Sequence, residues 1–127
     1  MKKGANIDNE DNNSWTPLFF ACRKGRKNIV KYLIKQRANI DKENHYGRTP
    51  LYYACKRGHK NIVNYLIKQG ANIDKEDDNG WTPLFFAYIK EHKDIVKYLI
   101  DNGANVNKKV NDDKTPLYFA CKKEKNL

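Results

Sequence analysis

Apolar residues in this chain fall at helical rather than alternating spacing, in short blocks parted by polar turns. In one kind of block, Leu18, Ala21 and Cys22 lie three and four residues apart on one face. Thr16 before it is placed to cap a helix with its hydroxyl, Pro17 at the first helical position costs no hydrogen bond, and Gly25 closes the block. A second kind of block spans about Asn28 to Gln36, with Ile29, Val30, Leu33 and Ile34 on one side and Lys27, Lys31 and Lys35 on the other. That pattern predicts an amphipathic helix with a buried stripe. Gly70 and Gly103 mark the end of this second helix in later copies, where the first copy has Arg37. The stretch from Asp74 to Trp81, rich in Asp, Asn and Gly, reads as an extended turn or hairpin.

The whole pattern recurs every 33 residues. Thr-Pro-Leu stands at 16–18, 49–51, 82–84 and 115–117, and the block from Asn28 to Ile34 returns at 61–67 and 94–100. Behind each copy comes Ala-Asn-Ile/Val-Asp/Asn, at 38–41, 71–74 and 104–107. Helices this short do not stand alone in water, so each unit must bury its apolar face on its neighbours in a stack. Three units are complete, at about 10–42, 43–75 and 76–108, with partial units over 1–9 and 109–127 of a single domain spanning 1–127. That number is near the minimum for stability, and the units lack polar caps, so the expectation is a piece of a longer array.

Gly47-Arg48-Thr49-Pro50-Leu51, Ala54-Cys55, Gly58-His59, Ile62-Val63, Leu66-Ile67 and Gly70-Ala71-Asn72-Ile73-Asp74 carry a specific resemblance, over essentially the whole chain, to ankyrin repeat proteins. The resemblance implies an all-α solenoid of stacked helix-turn-helix units with projecting hairpins, curved so that its concave side binds other proteins. The chain also departs from the family. Phe19, Tyr52, Phe85 and Tyr118 stand where the family has His after Thr-Pro-Leu, which removes the side chain that would join a polar network. Glu91 and Glu124 replace the glycine that closes the first helix, and Arg37 the glycine that closes the second. A left-handed backbone at those positions costs a non-glycine residue roughly 1 kcal/mol. Tyr88 and Ile89 replace the Cys-Lys/Arg pair of the other units, so the third unit should pack differently.

Composition narrows the function. The chain has 127 residues, 25 Lys+Arg against 15 Asp+Glu and a formal charge of +10. No apolar run approaches the roughly 18 residues that span a bilayer, and Met1-Lys2-Lys3 leads into Gly-Ala-Asn-Ile-Asp rather than an apolar signal segment. Three cysteines are an odd count, which argues against a closed disulfide framework and for a reducing compartment. The expected location is intracellular, in the cytoplasm with the nucleus as alternative.

Catalytic chemistry is poorly supported. His59 and His92 share one repeat position, His45 sits alone at a hairpin, and Ser14, the only serine, has no neighbouring motif. Cys22, Cys55 and Cys121 are equivalent positions in different units, too far apart for a disulfide or a metal site, and read as small hydrophobes beside Ala21, Ala54 and Ala120. No phosphate loop or paired metal ligands occur, so no cofactor and no metal are expected. Asn12-Asn13-Ser14 matches a glycosylation sequon that has no meaning without secretion.

Binding is the expected work. Arg23-Lys24-Gly25-Arg26-Lys27 and Lys56-Arg57-Gly58-His59-Lys60 are dense enough for phosphate contact, against the plainer reading of a solvated face. The adjacent aromatics 19/20, 52/53, 85/86 and 118/119 are about 100° apart on a helix, so one of each pair is expected to line the concave face. Trp15, Arg48, Trp81 and Lys114 share the position before Thr, which in the family commonly contacts ligands. With Tyr46 and Asp78 near the hairpin tips, and Lys24, Arg57, Lys90 and Lys123 at the first-helix ends, they form the candidate partner-binding row. The reading is a non-catalytic interaction scaffold for an acidic protein. Its alternatives are a nucleic-acid or anionic-surface binder driven by charge and a structural spacer array within a larger protein. Open apolar surface at the ends, Leu117 and the Ile95/Leu99 side, is expected to drive weak self-association.

Overall fold

The structure, a computed structural model, describes residues 7–107. Six helices follow in order: α1 (Pro17–Lys24), α2 (Lys27–Lys35), α3 (Pro50–Arg57), α4 (Lys60–Lys68), α5 (Pro83–Ile89) and α6 (Lys93–Asp101). The described residues contain no strand. Each odd-numbered helix packs on the helix that follows it. Successive first helices α1, α3 and α5 pack on one another, as do α2, α4 and α6. The result is two helical layers with projecting loops that are closed by turns rather than paired as strands.

Between the layers lies one core built from equivalent positions: Leu18, Leu51 and Leu84, Ala21, Ala54 and Ala87, and Leu33, Leu66 and Leu99. Cys22 and Cys55 sit inside it as free, buried thiols, and Cys121 lies outside the described residues. Burial pushes both thiols up from their ordinary pKa. Each buried Leu contributes on the order of 2 kcal/mol from apolar area alone, which is how helices of seven to nine residues persist.

Helix starts differ from expectation. Thr16 and Thr49 make no side-chain capping bond, and only Thr82 accepts one, from the Phe85 N–H at 3.4 Å. The main-chain carbonyls of Thr16 and Thr49 instead accept the N–H groups of Phe19 and Tyr52, and the buried Thr16 hydroxyl finds no partner among the described residues. The ends of the first helices follow the expected chemistry: Gly25 and Gly58 are left-handed, at φ 75° and 80°. Glu91 adopts the same backbone at the end of α5, at φ 62°, as do Arg37 after α2, at φ 67°, and Ser14 in the first loop, at φ 63°.

Two further expectations are overturned. Both members of the aromatic pairs in the second and third units, Tyr52/Tyr53 and Phe85/Phe86, are buried; neither lines an open face. They join Phe19 in a second core, because the second member of each pair meets the preceding unit: Tyr53 lies 4.7 Å from Trp15 and Phe86 lies 4.6 Å from Tyr52, ring to ring. Only Phe20 of the described pairs is exposed. The Ile95/Leu99 side, expected to be partly open, is likewise buried within the main core, while Leu117 lies outside the described residues. Among the described residues the large exposed hydrophobics are Phe20, Ile29, Tyr32, Tyr46, Ile89 and Ile100. The third unit does pack differently: α5 is one residue shorter than α1 and α3, and Ile89 is exposed.

Candidate functional site

Each projecting loop is a five-residue turn folded around one side chain. Asp11 Oδ1 accepts the N–H groups of Asn13 and Trp15, Asn44 Oδ1 those of Tyr46 and Arg48, and Asp77 Oδ1 those of Asn79 and Trp81, all at 2.8–3.1 Å. A main-chain bond of 2.9 Å closes each loop, from the N–H of residue 11, 44 or 77 to the carbonyl four residues on. Such Asx geometry needs a left-handed residue just before the loop ends, and Ser14, Gly47 and Gly80 supply it. The tips are then tied in series: the His45 N–H donates to the Asn13 carbonyl and the Asp78 N–H to the Tyr46 carbonyl, each at 3.0 Å. Asn44 and Asp77 are buried organisers that the sequence reading passed over. Their signal was present, an Asp or Asn four residues before Trp15, Arg48 and Trp81 at the 33-residue period.

These loops position the candidate row. Trp15 is half-buried against Phe19, Phe20 and Tyr53, with the Arg23 guanidinium 5.4 Å over its ring. Trp81 packs the same way on Phe85 and Phe86, at 4.7 and 4.9 Å. Arg48 lies between the rings of Tyr46 and Tyr52, at 5.0 and 4.7 Å, and its Nε donates to Asp77 Oδ2 at 3.3 Å. That carboxylate is almost fully buried, so the pair ties the second loop to the third. Tyr46 and Asp78 are exposed at the tips, and Lys24, Arg57 and Lys90 are exposed at the first-helix ends. Lys114 and Lys123 lie outside the described residues.

The same ends hold the junctions between units. His59 Nε2 donates to the Arg23 carbonyl at 2.9 Å and His92 Nε2 to the Lys56 carbonyl at 3.0 Å, so each histidine caps the preceding unit's first helix. A Cβ on Gly25 or Gly58 would lie 2.7 Å from that ring, so these glycines answer to space as well as to φ. Further stitches run along the array. Asp8, Asp41 and Asp74 accept the N–H groups of Asn39, Asn72 and Asn105, and Lys42–Glu10 and Lys75–Glu43 form ion pairs.

Charge is segregated as a result. Arg23, Lys24, Arg26, Arg57 and Lys90 form no ion pair with a carboxylate among the described residues. Lys56 beside them is held below the usual lysine pKa by burial first, and then by repulsion from Arg48, Lys90, Arg57 and Arg23. No group of three or more metal-ligating side chains occurs among the described residues, and no described helix is long and apolar enough to cross a membrane.

The chain matches no curated protein. The family model for ankyrin repeats, in three copies, matches residues 1–77 and 69–127. Period, paired helices, left-handed helix ends and capping histidines converge with that match: the chain belongs to the ankyrin repeat family, whose members are generally non-catalytic protein-interaction modules.

Proposed function

We propose that this chain is a non-catalytic interaction module that holds an acidic partner protein against its hairpin loops and first helices, the concave side in the family's architecture. One observation carries the reading: the cations at the first-helix ends are exposed and unneutralised, while the chain's own carboxylates are largely committed elsewhere. Asp8, Asp41 and Asp74 bind the next unit's backbone, Asp11 and Asp77 fold loops, and Glu10, Glu43, Asp94 and Asp101 pair with lysines. An acidic surface meeting Lys24, Arg57 and Lys90 gains attraction and on-rate, and the exposed Tyr46 supplies apolar area at the loop tips. Buried, unreactive thiols are compatible with a reducing, intracellular setting.

Affinity capture names a partner, and surface variants then locate the face. Tyr46→Ala combined with Lys90→Glu is expected to weaken binding about tenfold or more, while Lys35→Glu and Lys68→Glu on the second helices change it less than about twofold. The opposite pattern would place the working face on the second helices. Trp81→Ala is the less clean probe, because Trp81 packs on Phe85 and Phe86 and its truncation loosens the fold as well.

A further inference from the structure

Three of the chain's five arginines meet in one place. Arg23, Arg26 and Arg57, with Lys24 and His59, line an open depression of about 440 Å³ where the first unit joins the second. It lies between the end of α1, the turn into α2 and the matching end of α3. No carboxylate lines it. Two of its groups are held in place from within: Nε2 of His59 bonds the Arg23 carbonyl, and the Arg23 guanidinium rests over Trp15. At the next junction the positions equivalent to these are Lys56, Arg57, His59, Lys90 and His92, with one arginine in place of three. Its depression, about 280 Å³, is lined by Gly58, Lys60, Glu91, His92, Lys93, Asp94 and Ile95, and Lys60 Nζ stands 3.6 Å from Asp94 Oδ2. In the first junction, glycine (Gly58) and amide (Asn61) occupy the positions equivalent to Glu91 and Asp94.

We infer that the first junction is a recognition site for a phosphoryl dianion carried on a segment of the partner protein. The inference rests on the protein-binding reading above and names the chemistry of its anchor. Four like charges gathered around one depression repel one another, and a ligand of one charge would leave most of that repulsion in place. A phosphoryl group brings about −1.5 to −2 at neutral pH and three acceptor oxygens, which suits planar arginine forks better than lysine point charges. A nucleic acid offers phosphates too, but it also needs open aromatic platforms for its bases. The ring beside this site, Trp15, is already engaged by Phe19, Phe20, Tyr53 and Arg23.

The first test needs no partner. Inorganic phosphate is titrated into the whole chain at constant ionic strength while the arginine Nε–Hε resonances are followed. Arg23, Arg26 and Arg57 should shift together and saturate, leaving Arg37 and the Asp77-paired Arg48 in place; equal movement of all five, or of none, overturns the site. The second test compares an acidic peptide carrying one phosphoserine with its serine twin. The phosphopeptide should bind about tenfold tighter or more, and Arg26→Gln with Arg57→Gln should abolish that difference, whereas Lys60→Gln with Lys93→Gln at the second junction should preserve it. Both pairs of substitutions fall on exposed side chains. Equal binding of the twin overturns the proposal, as does a single-stranded oligonucleotide that competes better than the phosphopeptide. Arg57 belongs to the row as well, so the probe separates the two readings: phosphate and the phosphoserine–serine difference read this site, and Tyr46 with Lys90 reads the row. A null phosphate result with that row intact therefore rejects this site alone, and the converse rejects the wider face alone.

Discussion

Arg37 ends α2 in a left-handed conformation at φ 67°, where the equivalent Gly70 and Gly103 sit at 92° and 94°. Nothing lies within contact distance of a Cβ built at those two glycines, so the penalty at Arg37 is conformational, not steric. Its exposed side chain makes no ion pair with a described carboxylate. Arg37→Gly should therefore stabilise the fold by about 1 kcal/mol, read as a higher urea midpoint at unchanged m-value. Glycine is more costly to order from the unfolded chain, which sets the limit on that gain. The sequence exposed this position by its break in the repeat, since the backbone demand is local. It did not expose why Gly25 and Gly58 differ from Gly70: only the packed neighbour reveals that a histidine ring fills the space.

At the scale of elements, one buried carboxylate serves both the second and the third loops. Asp77 folds its own loop through two N–H groups and reaches back to Arg48 in the loop before it. Asp77→Ala orphans all three donors and should cost about 2–4 kcal/mol, with the Arg48 share discounted because that side chain keeps partial solvent access. Asp77→Asn retains the Oδ1 acceptor, as Asn44 does naturally in the second unit, and should cost about 1 kcal/mol. Thermal melts of the two variants decide it, and equal losses would mean that the ion pair, not the turn, holds the loop. Helix ends and loop positions were legible in the sequence because each follows from local spacing, and helix faces only in part: Val30 and Leu33 are buried as the stripe predicts, but Ile29 of the same stripe is exposed. The threonine caps were not, because the competing carbonyl bond depends on how the first turn tightens after proline.

For the molecule as a whole, Cys22, Cys55 and Tyr52 make stability depend on alkaline pH. Their ordinary values are 9.0 for the thiols and 10.0 for the phenol, and burial raises all three in the folded chain. The unfolded chain therefore loses protons first as pH rises. The stabilisation is fully present below about pH 9 and falls above it, by up to about 1.4 kcal/mol per pH unit for each group. Urea titrations at several pH values should show that decline, and Cys22→Ala with Cys55→Ala should flatten its onset. The same burial predicts slow reaction of these two thiols with a labelling reagent under native conditions and rapid reaction once denatured.

The sequence by itself determined the period, the two-helix unit, the family and the residues at each repeat position, because 33-residue identity and 3.6-residue periodicity are properties of the chain alone. It also placed the row of Trp15, Arg48 and Trp81. Only the tertiary structure decided what those side chains have left to offer. Tyr53 and Phe86 are covered by the unit before them, and both tryptophans are half spent on packing against neighbouring rings. Likewise, stacking gathers Arg23 and Arg26 with Arg57 from the next unit, while the depression at the following junction is lined by Glu91 and Asp94 as well as by lysines. Repeat positions are read one unit at a time, but charge and burial are set by pairs of units, and that pairing exists only once the array is stacked.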